Sequence, residues 1–479
     1  MMHPINRYFL LITLASTALA YALYFLERSP IIHDAFEYYQ LAVLITQRGL
    51  FDYAIIESAS YRTYGYPSFV AFFASIFGTY PEQLHFVIFN AQLLLLLITC
   101  FYCAQHLAKV LQSPYLAIGL YASTALNVIL LIHTIEFLSE MLSAVLVYLT
   151  VIFVLRGNNS GTQWVVTRQA FLSFLCASLA SIVRPANTAV LLAAILIWML
   201  RISWFRDVPW RAVFFICIAI VLPFFPQLVI NYNSFGVVSP LTERGLYFWL
   251  MRQGAWQLKF GTVVMPDEPP LLLYLNPFFP MQLAIPDIHV VLPDVTWVMH
   301  NPPIYVVTLV LHGFAFVDQD FPFTYIRELD PWYRWPLSIA NYVFLGVAIF
   351  GVYQGLYTKK TRQGDRNIRF VFIALLIACT FYILLYLPTR PENRYSLPVY
   401  LLLSLGFVYG LNEMMSFLRG KRWKAAATVG IAGAMLLGGS VWLSAWIQDQ
   451  AFLCSSGSAA GSYVRVTGCK DLTGIHKTR

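Results

Sequence analysis

LHFVIFNAQLLLLLITCFYCAQHLA, residues 84–108, contains no Asp, Glu, Lys or Arg. A helix of about 20 mainly apolar residues crosses roughly 30 Å of hydrocarbon, so this run is long enough to span a bilayer. Similar runs recur at 8–26, 114–132, 137–155, 169–183, 186–204, 211–230, 335–357, 370–388, 395–417 and 425–446. With 59% hydrophobic and 11% charged residues over 479 positions, the chain holds more apolar sequence than one water-soluble core can bury. The expected fold class is therefore an all-α polytopic membrane protein of about 11 transmembrane helices, with amphipathic helices on its outer surface. The first run is not followed by a small-residue cleavage site and reads as an uncleaved anchor.

Orientation follows from the basic residues, which collect in short cytoplasmic loops. If the chain starts inside, the inner connections hold sixteen Lys and Arg against Asp207, Asp365 and Glu413, a sum of +13; the outer segments sum to −5, and together these give the formal +8. The positive charge thus marks membrane orientation and implies no nucleic-acid partner. A multi-pass inner-membrane location is expected, with the long connections facing the periplasm. The run 303–317 is short for a span and is bracketed by His300, Asn301, Pro302 and Pro303 before it and by Asp318, Gln319 and Asp320 after it. It reads as a helix lying at the outer interface.

The expected organisation is a membrane module over 1–230 containing a first outer loop at 27–83, a large outer loop at 231–334, C-terminal transmembrane helices at 335–447 and an outer tail at 448–479. Both loops are rich in Tyr, Phe, Trp and Pro, which argues for ordered, functional segments. His33 to Leu50 reads as an amphipathic surface helix with Phe36, Tyr39, Leu41, Val43, Leu44 and Leu50 on its apolar side. Tyr64 to Phe77 reads as a second, started by Pro67, and Arg244 to Phe260 as a third. Cys100, Cys103, Cys176, Cys217 and Cys379 lie in apolar helices and read as small buried thiols. Cys454 and Cys469 lie in the outer tail, where an oxidising compartment favours a disulfide between them.

Charged groups at the rim of a membrane are costly to place and are functional candidates by default. Arg62, Arg184, Arg244, Arg390 and Arg394 fall on the side that the charge rule disfavours. Guanidinium forks suit phosphate oxygens through paired hydrogen bonds that lysine cannot reproduce. The bland alternative is that they snorkel or pair with carboxylates such as Glu392. For a carboxylate that takes a proton from an acceptor, the candidates are Asp34, Glu37, Glu136 and Glu140. Glu136 and Glu140, spaced i, i+4, would share a face at the start of the fourth helix, one turn after His133. With His33 these groups are also candidates to hold a divalent cation, although helix N-termini favour acidic residues anyway. No other cofactor is implied, and no Gly-rich phosphate loop signals a nucleotide.

HDAFEYYQLAVLITQRG (33–49) followed by YRTYGYPSFVAFFASIFG (61–78) resembles the first outer loop of the family 39 glycosyltransferases. That group includes bacterial relatives of protein O-mannosyltransferases and lipid A aminoarabinose transferases. Further likenesses come in the same order: FLSEMLSAVLVYL (137–149), SIVRPAN (181–187), NYNSFGVVSPLTERGLYFW (231–249) and RPENRYSLPVY (390–400). The resemblance covers about residues 30 to 410. It implies the GT-C fold, an outward-facing site, a polyprenyl-phosphate sugar as donor and inversion at the anomeric carbon. It places Asp34 at the catalytic aspartate and Arg62, Arg184 and Arg394 at the carrier phosphate, with Arg390 beside them and Arg244 on the loop that meets acceptor or donor. Ala35 stands where many members have a second acid, which leaves the metal open. The acceptor class is also open among glycan, lipid and protein hydroxyls. A glycan polymerase or ligase using a diphosphate-linked donor is the nearest rival. A lipid-linked glycan transporter ranks lower, because the acids gather at the outer rim and not at midplane.

Overall fold

The computed structural model describes residues 4–28, 30–111, 113–158, 163–200, 210–242, 246–263, 271–278, 295–327, 331–357, 363–419, 423–454 and 470–471. It is 81% helical, which bears out the helical membrane class. Among the described residues eight helices are long and apolar enough to cross a membrane, or nine if one bent pair is a single span. The chain divides into two compact units: Met1–Gly245 with Val347–Tyr382 and Leu397–Ser416, and Leu246–Gly346 with Ile383–Ser396 and Phe417–Arg479.

In the first unit, α1 (Pro4–Glu27) leads into α2 (His33–Arg48), α3 (Gly65–Phe77) and α4 (Pro81–Leu111). The expected third span is broken into α5 (Pro114–Ala125) and α6 (Val128–Ile135), which meet at 46°. The break is written locally: the Asn127 side chain caps α6 by accepting from the backbone N–H of Ile129 at 3.0 Å and of Leu130 at 3.3 Å. The next segments are α7 (Glu140–Asn158), α8 (Gln163–Val183) and α9 (Thr188–Met199). Neither α7 nor α9 is among the eight, and α9 is only 12 residues long. Of the eleven expected spans, length and composition support eight or nine among the described residues. α10 (Trp210–Val221) and α11 (Phe225–Phe235) make up the span Val213–Phe235. Cys217, expected buried, is exposed on α10, while Cys100, Cys103, Cys176 and Cys379 are buried and free.

Two later helices complete this unit by close backbone packing. α15 (Arg334–Tyr357) carries Gly351, and α17 (Leu397–Arg419) carries Gly406 and Gly410. A Cβ on Gly351 would run into the Gly406 carbonyl and stand 2.6 Å from the Gly410 nitrogen; one on Gly406 would stand 2.7 Å from the Ala348 carbonyl. Lipid tails give helices no hydrophobic reason to associate, so contact of this kind depends on small residues that let the backbones meet.

The second unit begins with α12 (Leu246–Gly254). The expected amphipathic helix from Arg244 to Phe260 stops at Gly254, whose backbone packs so closely on the Pro388 carbonyl that no Cβ fits, and the chain then turns into a strand. Arg244 itself lies outside the described residues. β1 (Gln257–Val263), β2 (Leu271–Leu275), β3 (Tyr325–Ile326), β4 (Ala451–Cys454) and β5 (Lys470–Asp471) form one sheet in the order β3-β1-β2-β4-β5. β1 pairs antiparallel with β2 and parallel with β3, while β4 adds antiparallel to β2. This sheet qualifies the all-α expectation: the large loop and the tail supply strands to a common ladder. The short helix α13 (Val295–His300) precedes α14 (Pro302–Val317), which is one of the shorter apolar helices. Leu311 and Ala315 of α14 pack with Leu258, Tyr274, Phe321, Ile326 and Ile447 in one core. The remaining helices are α16 (Gln363–Tyr386) and α18 (Trp423–Gln448). The expected Cys454–Cys469 disulfide lies outside the described residues at Cys469.

Candidate functional site

α2 begins right after the first span. The backbone at its first residue, His33, has φ 46°, and no other described non-glycine residue has positive φ. Such conformations are sparsely populated and gather at functional sites. The buried stripe of α2 is Ala35, Tyr38, Leu41 and Ala42. The expected apolar side was drawn about one position away, and Phe36 is in fact exposed. The cause is tertiary: α2 packs on α3, and Leu41 joins Tyr53, Ala54, Ala59 and Ile230 in a core with Leu44 and Ile45 beside it.

Asp34, Glu37 and Tyr38 stand at i, i+3 and i+4 on α2 and converge on one guanidinium, that of Arg62. Arg62 Nη2 lies 2.6 Å from Asp34 Oδ1 and 2.9 Å from Glu37 Oε2, Nε donates to Glu37 Oε2 at 3.0 Å, and Nη1 donates to the Tyr38 hydroxyl at 3.3 Å. The Tyr38 ring sits 4.9 Å from the guanidinium carbon. Tyr61 donates to Glu37 Oε1 at 2.8 Å. Burial works against the charge on Arg62, but Asp34, then Tyr38 and Glu37, outweigh it and hold the guanidinium well above its ordinary pKa. The Arg62 side chain is 15% exposed, and those of Asp34 and Glu37 are 28% and 27% exposed, so the carboxylates face an accessible space.

The segment carrying Arg62 is anchored from two sides. Thr63 donates to the Ile182 carbonyl at the end of α8, and a Cβ on Gly65 would lie 2.6 Å from that same oxygen. The Tyr64 N–H donates to Gln227 at 2.9 Å, and Gln227 in turn donates to Asn231 at 2.9 Å. Arg184 follows directly after α8, and its Nη1 lies 2.6 Å from Glu140 Oε1.

Glu136 and Glu140 do not share a helical face. Glu136 caps the end of α6 in an extended conformation, and α7 starts only at Glu140. Glu136 is instead bound to His133 at 2.6 Å, both side chains fully buried, and the Glu136 carbonyl accepts from Gln92 at 2.9 Å. Ser139, in the bend between the helices, meets the Tyr38 hydroxyl at 3.2 Å. Tyr66 packs edge-on against Tyr38 at 4.9 Å, and its buried hydroxyl has no hydrogen-bond partner among the described residues. Burial, then Glu140, Tyr38 and Glu136, push its pKa far up. Among the described residues no three His, Cys, Asp or Glu side chains stand together as a metal set. His133, Glu136 and Glu140 are engaged with other protein groups, and His33 is exposed at the start of α2.

In the second unit, Arg390 and Arg394 share Glu392: Arg394 Nε donates to Oε2 at 2.7 Å, and Arg390 Nη2 lies 3.4 Å from Oε1. Tyr395 donates to Oε1 at 2.9 Å, and the Arg390 guanidinium sits 3.5 Å from the Phe260 ring centre. Glu392 and Arg394 line a cleft with about 30 Å³ of room, alongside Lys259, Tyr274, Asp320 and Asn393.

Sequence reasoning missed the charged network beneath this cleft. Lys259, 2% exposed, donates to the Asp318 carbonyl at 2.8 Å, to Asp318 Oδ2 at 3.3 Å and to Asp320 Oδ1. Tyr342 and Ser444 bind Asp318, while Tyr274, Asn393 and the Phe321 N–H bind Asp320. Burial pushes Asp320 up, but Lys259 and then Arg334 overcome it and hold the carboxyl below its ordinary range. Asp318 is the reverse case, since burial outweighs Lys259 and raises it. The available signal was two acids closing an apolar run, 318 and 320. In comparisons with known proteins, no protein-family model matches this chain and no curated protein matches it.

Proposed function

We propose that this chain is a membrane glycosyltransferase of GT-C type. It takes a sugar from a polyprenyl-phosphate carrier on the periplasmic side of an inner membrane and transfers it, with inversion, to an acceptor hydroxyl. Asp34 is the general base: it removes the acceptor proton as the oxygen attacks the anomeric carbon, and the bond to the carrier phosphate breaks. The observation that carries this reading is the pair Asp34 and Glu37, partly exposed and held around one arginine on a short helix next to the first span. A carboxylate partly open to solvent can accept a proton, and the first turn of a helix favours its charge.

Departing phosphate needs positive charge. The reading assigns that role to Arg184, which lies in the same unit as Asp34 and pairs with Glu140. A divalent cation is not required by this scheme.

The experiment has two parts. Asp34→Asn keeps the shape and removes the base, so transfer should fall by at least about a hundredfold with expression unchanged; transfer near the wild-type rate removes Asp34 from the role. Mass spectrometry of co-purified lipid should find a polyprenyl monophosphate bearing one sugar. An oligosaccharide on a diphosphate would replace this reading by a polymerase or ligase.

A further inference from the structure

We propose that Arg62 is a positioning residue, held by Asp34, Glu37 and Tyr38 so as to keep both carboxylates charged and oriented, and is not a ligand of the carrier phosphate. The inference rests on the reading of Asp34 as the base, but its geometry stands by itself. All three guanidinium nitrogens are engaged: Nε with Glu37, Nη2 with Asp34 and Glu37, and Nη1 with Tyr38. Two carboxylates already face this cation, so a phosphate approaching Arg62 also meets their charge. A bidentate phosphate complex needs two N–H groups in one plane pointing at the ligand. Here the plane is fixed from below by the Tyr38 ring, and the donors already point at α2.

Tyr38 extends the hold into the protein. Its hydroxyl takes the Arg62 hydrogen bond on one side and meets Ser139 at 3.2 Å on the other, and Ser139 is itself buried in the bend after α6. The orientation of the acid pair is thereby tied to the buried framework of Glu136 and His133. Among the described residues, Arg62 and Tyr61 from the loop bind the acid pair, and Tyr38 of α2 stands against Arg62. Tyr66 and Glu140 lie behind Tyr38.

Removing the cation leaves Asp34 and Glu37 beside each other without their shared partner. Like charges at this spacing cannot both remain ionised as easily, so one carboxyl takes up a proton at higher pH. The test is carbodiimide labelling with a small amine across pH 5 to 8, read peptide by peptide on the full-length protein in lipid nanodiscs. The reagent couples to protonated carboxyls, and both side chains are accessible. At pH 7, Arg62→Gln should raise labelling of the α2 peptide that carries the acid pair severalfold, because the carboxylates lose their shared cation. Arg62→Lys should restore much of the difference, and Tyr38→Phe, which removes only the hydroxyl, should give a smaller rise. The buried Asp318 and Asp320 should remain unlabelled in every variant, which separates a local effect from unfolding. Should Arg62→Gln fail to fold, Tyr38→Phe carries the same test. Unchanged labelling in the variants overturns the proposal.

A second arm uses undecaprenyl phosphate as the probe and native mass spectrometry as the readout. Retention by Arg62→Gln should stay within about twofold of wild type, a change of under half a kcal/mol. A tenfold loss with normal folding would return Arg62 to the phosphate and overturn the inference. If the wild-type protein itself retains none, that counts against the transferase reading, and the labelling arm still decides the role of Arg62.

Discussion

Replacing Lys259 by Met tests whether the second unit depends on its buried ion network. The ammonium is 2% exposed and neutralises two aspartates that are 0% and 1% exposed in their side chains. At 3.3 Å and an effective dielectric constant of about 20, the pairing with Asp318 alone amounts to about 5 kcal/mol of Coulomb energy. Removing one partner of a buried pair strands the other charge, and the typical cost is about 3–5 kcal/mol. Arg334 cannot take over, since it lies 3.9 Å from Asp320 and bonds no oxygen of Asp318 among the contacts described. For a unit of this size about 1 kcal/mol corresponds to roughly 2–4 °C, so Lys259→Met should lower the melting midpoint by about 6–20 °C in a fluorescence-detected size-exclusion assay.

The pH dependence gives the sign. Asp320 has its carboxyl held below the ordinary 3.8, so its stabilisation is fully present above that value and is lost as pH falls through the lower folded value. In Lys259→Met the carboxylates have lost their cation, and protonation relieves them. The deficit against wild type should therefore be largest near neutral pH and should shrink in acid. Adding Asp320→Asn to Lys259→Met should recover at least half of the loss at neutral pH. A shift of less than about 2 °C at pH 7, or a deficit that grows on acidification, would refute the reasoning.

Two further outcomes follow from the packing and the tail. Gly406→Leu places a branched side chain where even a Cβ stands 2.7 Å from the Ala348 carbonyl; the helices must separate, and detergent-extracted protein should lose its monodisperse peak, whereas Gly430→Leu, with nothing near its Cβ, should not. Leu453 pairs with Lys470 across β4 and β5, and Cys454 and Cys469 are the next residues in sequence on either side of that pair. Protein from an oxidising compartment should take up alkylating reagent at both cysteines only after reduction; uptake without reduction removes the disulfide.

Much of the helical framework was legible because long uncharged runs admit no other solvent than lipid. The breaks were less so. Asn127 ends one helix and caps the next, a local signal that apolar periodicity passes over. α9 is shorter than its apolar run suggests, because hydropathy does not show how soon a helix stops. The sheet escaped notice for a different reason. Strand pairing between residues 271–275 and 451–454 joins segments far apart in sequence, and neither alternates clearly enough to declare itself. At the site, the residues Asp34, Glu37 and Arg62 could be named from chemistry, but their mutual pairing could not. Glu136 and Glu140 looked like one helical face only because the intervening bend is invisible to spacing. Lys259 was hidden by a helix assignment that Gly254 terminates.

What pairing adds to residue identity is charge balance, and the balance differs between groups that look alike in sequence. Asp34 and Glu37 share Arg62, Glu140 pairs with Arg184, and Arg390 and Arg394 share Glu392. A group that carries excess negative charge repels anions and holds a proton acceptor ready; a group with excess positive charge attracts phosphate and disfavours a base. Counting arginines on one side of the membrane treats the five candidates as equivalent, whereas their partners make them different. Under the proposed reading this is why the group in which two acids share one arginine is the place for proton transfer. A charge-neutralising change should therefore act differently in the two groups: Glu37→Gln on the base, and Glu392→Gln on anion retention.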